Sequence, residues 1–95
     1  MKAAEIATTA ASLISGDRDR THGNKKTNFE NIAKLWSAWL SIAHGLDTPL
    51  SGADVAKLMV LLKLARMESG EYNPDDAIDM VGYGAILGEL QGVGR

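Results

Sequence analysis

Cysteine is absent, so the chain has no disulfide frame, no thiolate nucleophile and no zinc-finger ligand set. That composition suits a reducing compartment. Aromatic residues make up only 5% of the chain while hydrophobic residues make up 45%, which leaves Ala, Leu, Ile, Val and Met to fill an interior. Such filling belongs to helix-on-helix packing and argues against an all-β core. No stretch approaches about 18 uncharged apolar residues, and the Met-Lys start runs into Ala, Glu, Ile and Thr rather than an apolar secretion segment. The expectation is a soluble, unexported protein of the cytoplasm with no membrane partner. A basic excess is also missing: the net charge is −2, with six Lys or Arg against four acids in residues 1–40 and four against eight in 41–95. This dipolar layout argues against general nucleic-acid binding.

What is present is helical pattern. Ninety-five residues form a single domain, 1–95, with one modest core that self-association would help to stabilise. Ile6, Ala10, Leu13 and Ile14 recur at helical spacing over 3–15, and Gly16 follows as a stop. Thr27 and Glu30 are spaced as a capping box, which predicts a second helix over 28–44 with Phe29, Ile32, Ala33, Leu35, Trp36, Trp39, Leu40 and Ala43 along a broad stripe and His44 at its end. Ser51 and Asp54 repeat the signal for a third helix over 52–68, apolar nearly all round and therefore expected to be central or covered on two sides. Asn73-Pro74-Asp75-Asp76 opens a fourth over 74–90. Gly82, Gly84 and Gly88 interrupt it, and Gly84 and Gly88, four apart, predict close approach of another helix, though the same gap could admit a ligand. The result is an all-α, compact four-helix domain, expected to be homo-oligomeric because its third and fourth helices carry more apolar surface than one small bundle hides.

Candidate chemistry falls in two clusters. Lys63 and Arg66 emerge from one face of the third helix, and Asp76, Asp79 and Tyr83 share a face of its antiparallel neighbour. By itself this arrangement makes an internal ion-pair network, Asp79 with Arg66 or Lys63. The second cluster is GDRDRTHGNKKTNFE, residues 16–30, with eight charged or titratable side chains in fifteen positions. It is either a solvated connector or one wall of a site. If the clusters join, Arg20, His22, Lys25, Lys26 and Asn28 close over an anion held by Lys63 and Arg66, with Asp79 orienting Arg66 and Tyr83 lining the pocket. Arg forks and Lys point charges suit phosphate, while Asn and Tyr suit a base or sugar. Trp36 is assigned to the core and Trp39 to an oligomer contact or stacking platform. No nucleophilic triad is readable.

With its Gly-Asp-Arg and His-Gly loop, Asn-Phe-Glu start, Leu-Trp-Ser helix, Leu-Leu-Lys-x-Ala-Arg helix and Asp-x-x-Gly-Tyr helix, the chain resembles an uncharacterised family of small proteins from tailed phages and prophages. The resemblance spans nearly the whole chain and implies an accessory role without a defined activity. A more distant similarity is to the all-α nucleoside-triphosphate pyrophosphohydrolases of the MazG-like type, whose Glu-x-x-Glu and Glu-x-x-Asp helices hold magnesium around a triphosphate. Asp76 and Asp79 stand at the second motif, but Ala33 occupies the place of an acid three residues after Glu30. The acids available to a metal are thus Glu30, Asp76 and Asp79, with Glu5 a marginal fourth. The leading expectation is binding of a phosphate-bearing small molecule, a nucleotide or nucleotide signal, without turnover and with no cofactor; sequestering a host defence signal would fit. The alternatives are an inhibitor or adaptor acting on a host protein through Trp39 and the basic loop, and a divergent pyrophosphohydrolase requiring magnesium.

Overall fold

The first backbone amides of a helix lack partners within it, and here the residues ahead of each helix determine where it starts. The computed structural model describes residues 1–16 and 24–92. In order these form α1 (Ala3–Ser15), α2 (Lys25–His44), α3 (Gly52–Ser69) and α4 (Pro74–Gly92), with no strand among the described residues. Ser51 accepts from the Asp54 amide at 3.1 Å while the Asp54 carboxylate accepts from the Ser51 amide at 2.9 Å, the reciprocal box read from the sequence. Asn73 accepts from the Asp75 amide at 3.0 Å and so caps α4.

The start of α2 differs from expectation. Asn24, not Thr27, is the cap: its side-chain oxygen accepts from the amides of Lys26 at 2.8 Å and Thr27 at 3.3 Å. Asn outranks Thr as a cap, and the earlier start adds nearly a turn to the helix. Lys25 and Lys26 therefore belong to the first turn of α2 rather than to a loop. At the other end Gly45 takes a left-handed conformation, φ 66°, and donates to the Ser41 carbonyl at 2.9 Å.

α3 packs against both α2 and α4, and α4 in turn carries α1. Val55 and Ala56 of α3 are fully buried and pack with Phe29 and Ala33 of α2. Gly52 allows this approach, since a Cβ built there would lie 3.3 Å from that of Phe29. Trp36 is half-buried against the same core, as expected. The connection from α2 to α3 is strapped down by two serines. Ser37 donates to the Ala33 carbonyl at 2.6 Å and accepts from the Leu50 amide at 2.8 Å, and Ser41 donates to Asp47 at 2.8 Å.

One packing expectation is refined and one corrected. α3 is central, with α2 and α4 packed on it, yet Leu58, Leu61, Leu62, Leu64 and Met67 stay exposed, because those two helices leave part of its circumference open. Gly84 and Gly88 face no helix; a Cβ at either would meet nothing within 4 Å. Within α4 the glycine at a helix contact is Gly82, whose added Cβ would lie 4.0 Å from the Ile14 side chain of α1.

Candidate functional site

A cavity of about 300 Å³ opens where all four helices converge. That volume lies at the lower end of the range that takes a small molecule. Its walls are apolar: Leu13 and Ile14 from α1, Phe29 and Ile32 from α2, Met59 from α3, Ile86 from α4. Polar groups enter at four places, Lys25 and Asn28 on α2 and Asp79 and Tyr83 on α4. The Asn24 cap is what sets Lys25 and Asn28 one turn apart on α2. Tyr83 packs against Phe29, ring centroids 6.4 Å apart and planes tilted by 41°. Lys25 also lies 3.8 Å from Glu89 of α4.

Asp79 is held from behind. Its Oδ2 accepts from the Lys63 ammonium at 2.8 Å, and Lys63 is buried, at 8% exposure. A buried ammonium needs such a partner, and the pair fixes the carboxylate against the cavity wall. Asp79 therefore engages Lys63 and does not orient Arg66, which is exposed and makes no ion pair among the described residues.

The structure divides the residues that the sequence grouped. Lys25, Asn28, Asp79 and Tyr83 line the cavity. Lys63, Arg66, Asp76 and Asp79 line a separate polar groove at the α3–α4 turn, beside Asn73 and Asp75. Asp79 touches both. Lys26 is exposed and lines neither space. Arg20 and His22 lie outside the described residues. Glu30 is exposed on α2 and away from the groove, and Glu5 accepts from the Lys2 amide at the start of α1. Among the described residues no three His, Cys, Asp or Glu side chains form a group able to hold a metal ion.

Sequence reasoning missed the apolar walls. Leu13, Ile14, Phe29 and Ile32 carry the same helical periodicity as core residues, so periodicity could not separate a filled core from a lined cavity. The signal that could have found them is Gly82. It removes a side chain from α4 opposite α1, on the wall that also carries Asp79 and Tyr83.

Helices, cavity and a carboxylate held by a buried lysine define a small all-helical domain with a preformed space of ligand size. By sequence the chain belongs to the family described as "Domain of unknown function (DUF6378)", whose model matches residues 5–91. It is 40% identical over 87 residues to the Gene 55 protein of Mycobacterium phage L5, a match covering 90% of this chain and 52% of that protein. The Gene 55 protein of Mycobacterium phage D29 is 38% identical over 78 residues, covering 82% of this chain and 48% of the relative. The chain thus spans about half the length of these two phage relatives. No solved structure matches it. No helix among the described residues is long and apolar enough to cross a membrane.

Proposed function

We propose that this phage-family domain binds a phosphate-bearing small molecule, of the nucleotide class, in the cavity between its helices without turning it over. The observation that carries this reading is the arrangement of four polar groups in an apolar space: Lys25, Asn28, Asp79 and Tyr83 around walls that include Phe29 and Ile32. The walls suit the flat or apolar body of a ligand. Asp79, already neutralised by Lys63, offers an acceptor to a ligand hydroxyl or amine. Asn28 and Tyr83 add directional hydrogen bonds, and the Lys25 ammonium is the cation for a phosphate. Lys63 serves as a positioning residue. Arg66, Lys26, Arg20 and His22 are not part of the assignment. Binding without turnover would act by sequestration, which fits an accessory role against a host signal.

Thermal unfolding against a panel of nucleoside mono-, di- and triphosphates, with and without EDTA, tests the reading. A ligand that binds only the folded state raises its apparent stability. A rise in Tm that persists in EDTA and weakens in Asn28→Ala and Tyr83→Phe is expected. Pyrophosphate release that needs magnesium would replace this reading with the hydrolase. Indifference to every nucleotide would overturn it.

A further inference from the structure

The side of α4 that lines the cavity carries its groups in a fixed order. Asp79 comes first, Tyr83 one turn on and Ile86 the next. Glu89, a further turn along, lies 3.8 Å from the Lys25 ammonium. Steps of four, three and three residues keep all four on one side of a helix. Asp79 and Glu89 are ten residues apart, roughly 15 Å of helix axis at about 1.5 Å per residue. An acceptor and a cation thus stand well apart along the cavity, with ring and aliphatic surface between them.

Within the nucleotide reading above, on which this rests, we infer that the cavity selects guanine, with the Watson–Crick edge of the base on Asp79 and the phosphate on Lys25. Charge sets the direction. Lys25 is the cation among the lining residues, and the Asp79 carboxylate repels a phosphate, so the ligand has one favourable order along the cavity. The base follows from what a carboxylate can accept. Asp79 is the acid of an ion pair and therefore acceptor-only; its Oδ2 uses one lone pair on Lys63, and the lone pairs left on its two oxygens need donors. Guanine offers two adjacent donors, N1–H and the N2 amino group, which match the two oxygens. Adenine and cytosine set a ring-nitrogen acceptor beside their amino group, and uracil and thymine flank their N–H with two carbonyls. Each would hold a lone pair against a charged oxygen between apolar walls, where a repelled or unmet polar group is costly. The 2.8 Å contact to buried Lys63 fixes the carboxylate before the base arrives. Phe29 and Tyr83 supply the aromatic surface for the purine. Trp39, 59% exposed on α2, is not in the lining. The Glu89 side chain is 62% exposed and can turn into water as the phosphate takes its place beside Lys25.

Isothermal titration calorimetry of the natural chain with guanosine, inosine, xanthosine and adenosine 5′-monophosphates tests the base. Guanosine monophosphate is expected to bind at least about tenfold more tightly than the adenosine and xanthosine forms. Inosine monophosphate, which keeps N1–H but lacks the amino group, should fall between them. Asp79→Asn should reverse guanosine and xanthosine, because an amide presents one donor and one acceptor and xanthine sets a carbonyl beside its N1–H. Circular dichroism shows whether this variant folds, and if it does not, the ranking by the natural chain decides alone. Guanosine lacking its phosphate should bind more weakly than the monophosphate to the natural chain and equally well to Lys25→Ala. Adenosine monophosphate binding as tightly as guanosine monophosphate, or a folded Asp79→Asn that keeps the natural ranking, would overturn the choice of base and leave a nucleotide site standing. A phosphate that adds nothing, or adds as much in Lys25→Ala, would overturn the direction. Failure of every nucleotide to bind would overturn the proposed function itself, a result distinct from a wrong ranking.

Discussion

The Lys63 ammonium and the Asp79 carboxylate meet at 2.8 Å across the α3–α4 contact, with the cation's side chain 10% exposed and the acid's 30%. This asymmetry predicts unequal costs for losing either partner. Asp79→Ala strands a buried ammonium and should lower stability by roughly 2–4 kcal/mol, below the upper end for a fully buried pair because one partner keeps some water. Lys63→Met keeps most of the volume and leaves a carboxylate that water can still reach. It should cost about 1 kcal/mol or less. Urea unfolding of the two variants checks the order, and a larger loss for Lys63→Met would show that the acid is the more dependent member.

Ser37 is predicted to matter more than its surface neighbour Ser41. Its hydroxyl joins the Ala33 carbonyl to the Leu50 amide at a part-buried position, holding the α2–α3 connection on the core. Ser37→Ala leaves that amide without an acceptor and should cost about 1–3 kcal/mol. The Ser41 bond to Asp47 is exposed, and Ser41→Ala should cost about 0.5 kcal/mol or less. Equal midpoints for the two variants in chemical denaturation would contradict the strap.

The capping box at α3 predicts a pH dependence at the acid end. The backbone hydrogen bond from Ser51 holds the Asp54 carboxyl below its ordinary value of 3.8; the Ser51 side chain and Lys57 lower it further, and partial burial opposes them. A carboxyl depressed in the folded state contributes stability above its unfolded value, and that contribution disappears as pH falls through the folded value. Asp54→Asn should therefore flatten the fall in stability below about pH 4. Denaturation midpoints from pH 6 to pH 2 provide the comparison, and parallel curves for variant and natural chain would exclude the box as the source.

Legibility in the sequence followed the range of the forces involved. Ser51 with Asp54, and Asn73 before Pro74, act on amides two or three residues away, so the starts of α3 and α4 were readable from the string. The start of α2 was not, because Asn24 and Thr27 are both capping residues ahead of one apolar pattern and the choice rests on the stronger acceptor. Gly84 and Gly88 show the limit of a permissive residue. Missing side chains allow a helix to approach and do not bring one. At the site, the face shared by Asp79 and Tyr83 was readable from helical spacing, but the pairing of Asp79 with Lys63 rather than Arg66 depends on how α3 and α4 register across their turn. The cavity itself closes where α1 comes to rest on α4, a tertiary contact of which the sequence carries only the small trace of Gly82.

Gly82 and Gly84 offer a matched pair for locating the ligand. Both lie inside α4, where replacing glycine removes a helix penalty of up to about 1 kcal/mol. Gly84 points into open space, so Gly84→Ala should stabilise by about 0.5–1 kcal/mol and leave nucleotide binding unchanged. Gly82 lines the cavity, and its first added carbon would lie 4.0 Å from Ile14, an ordinary contact. Gly82→Ala should therefore be tolerated as well, while Gly82→Leu should project into the cavity beside Ile14 and abolish the nucleotide-dependent rise in Tm. Thermal unfolding of the three variants with and without nucleotide separates the effects. If Gly82→Leu folds and still responds to nucleotide as the natural chain does, the ligand binds elsewhere and the cavity is not its site.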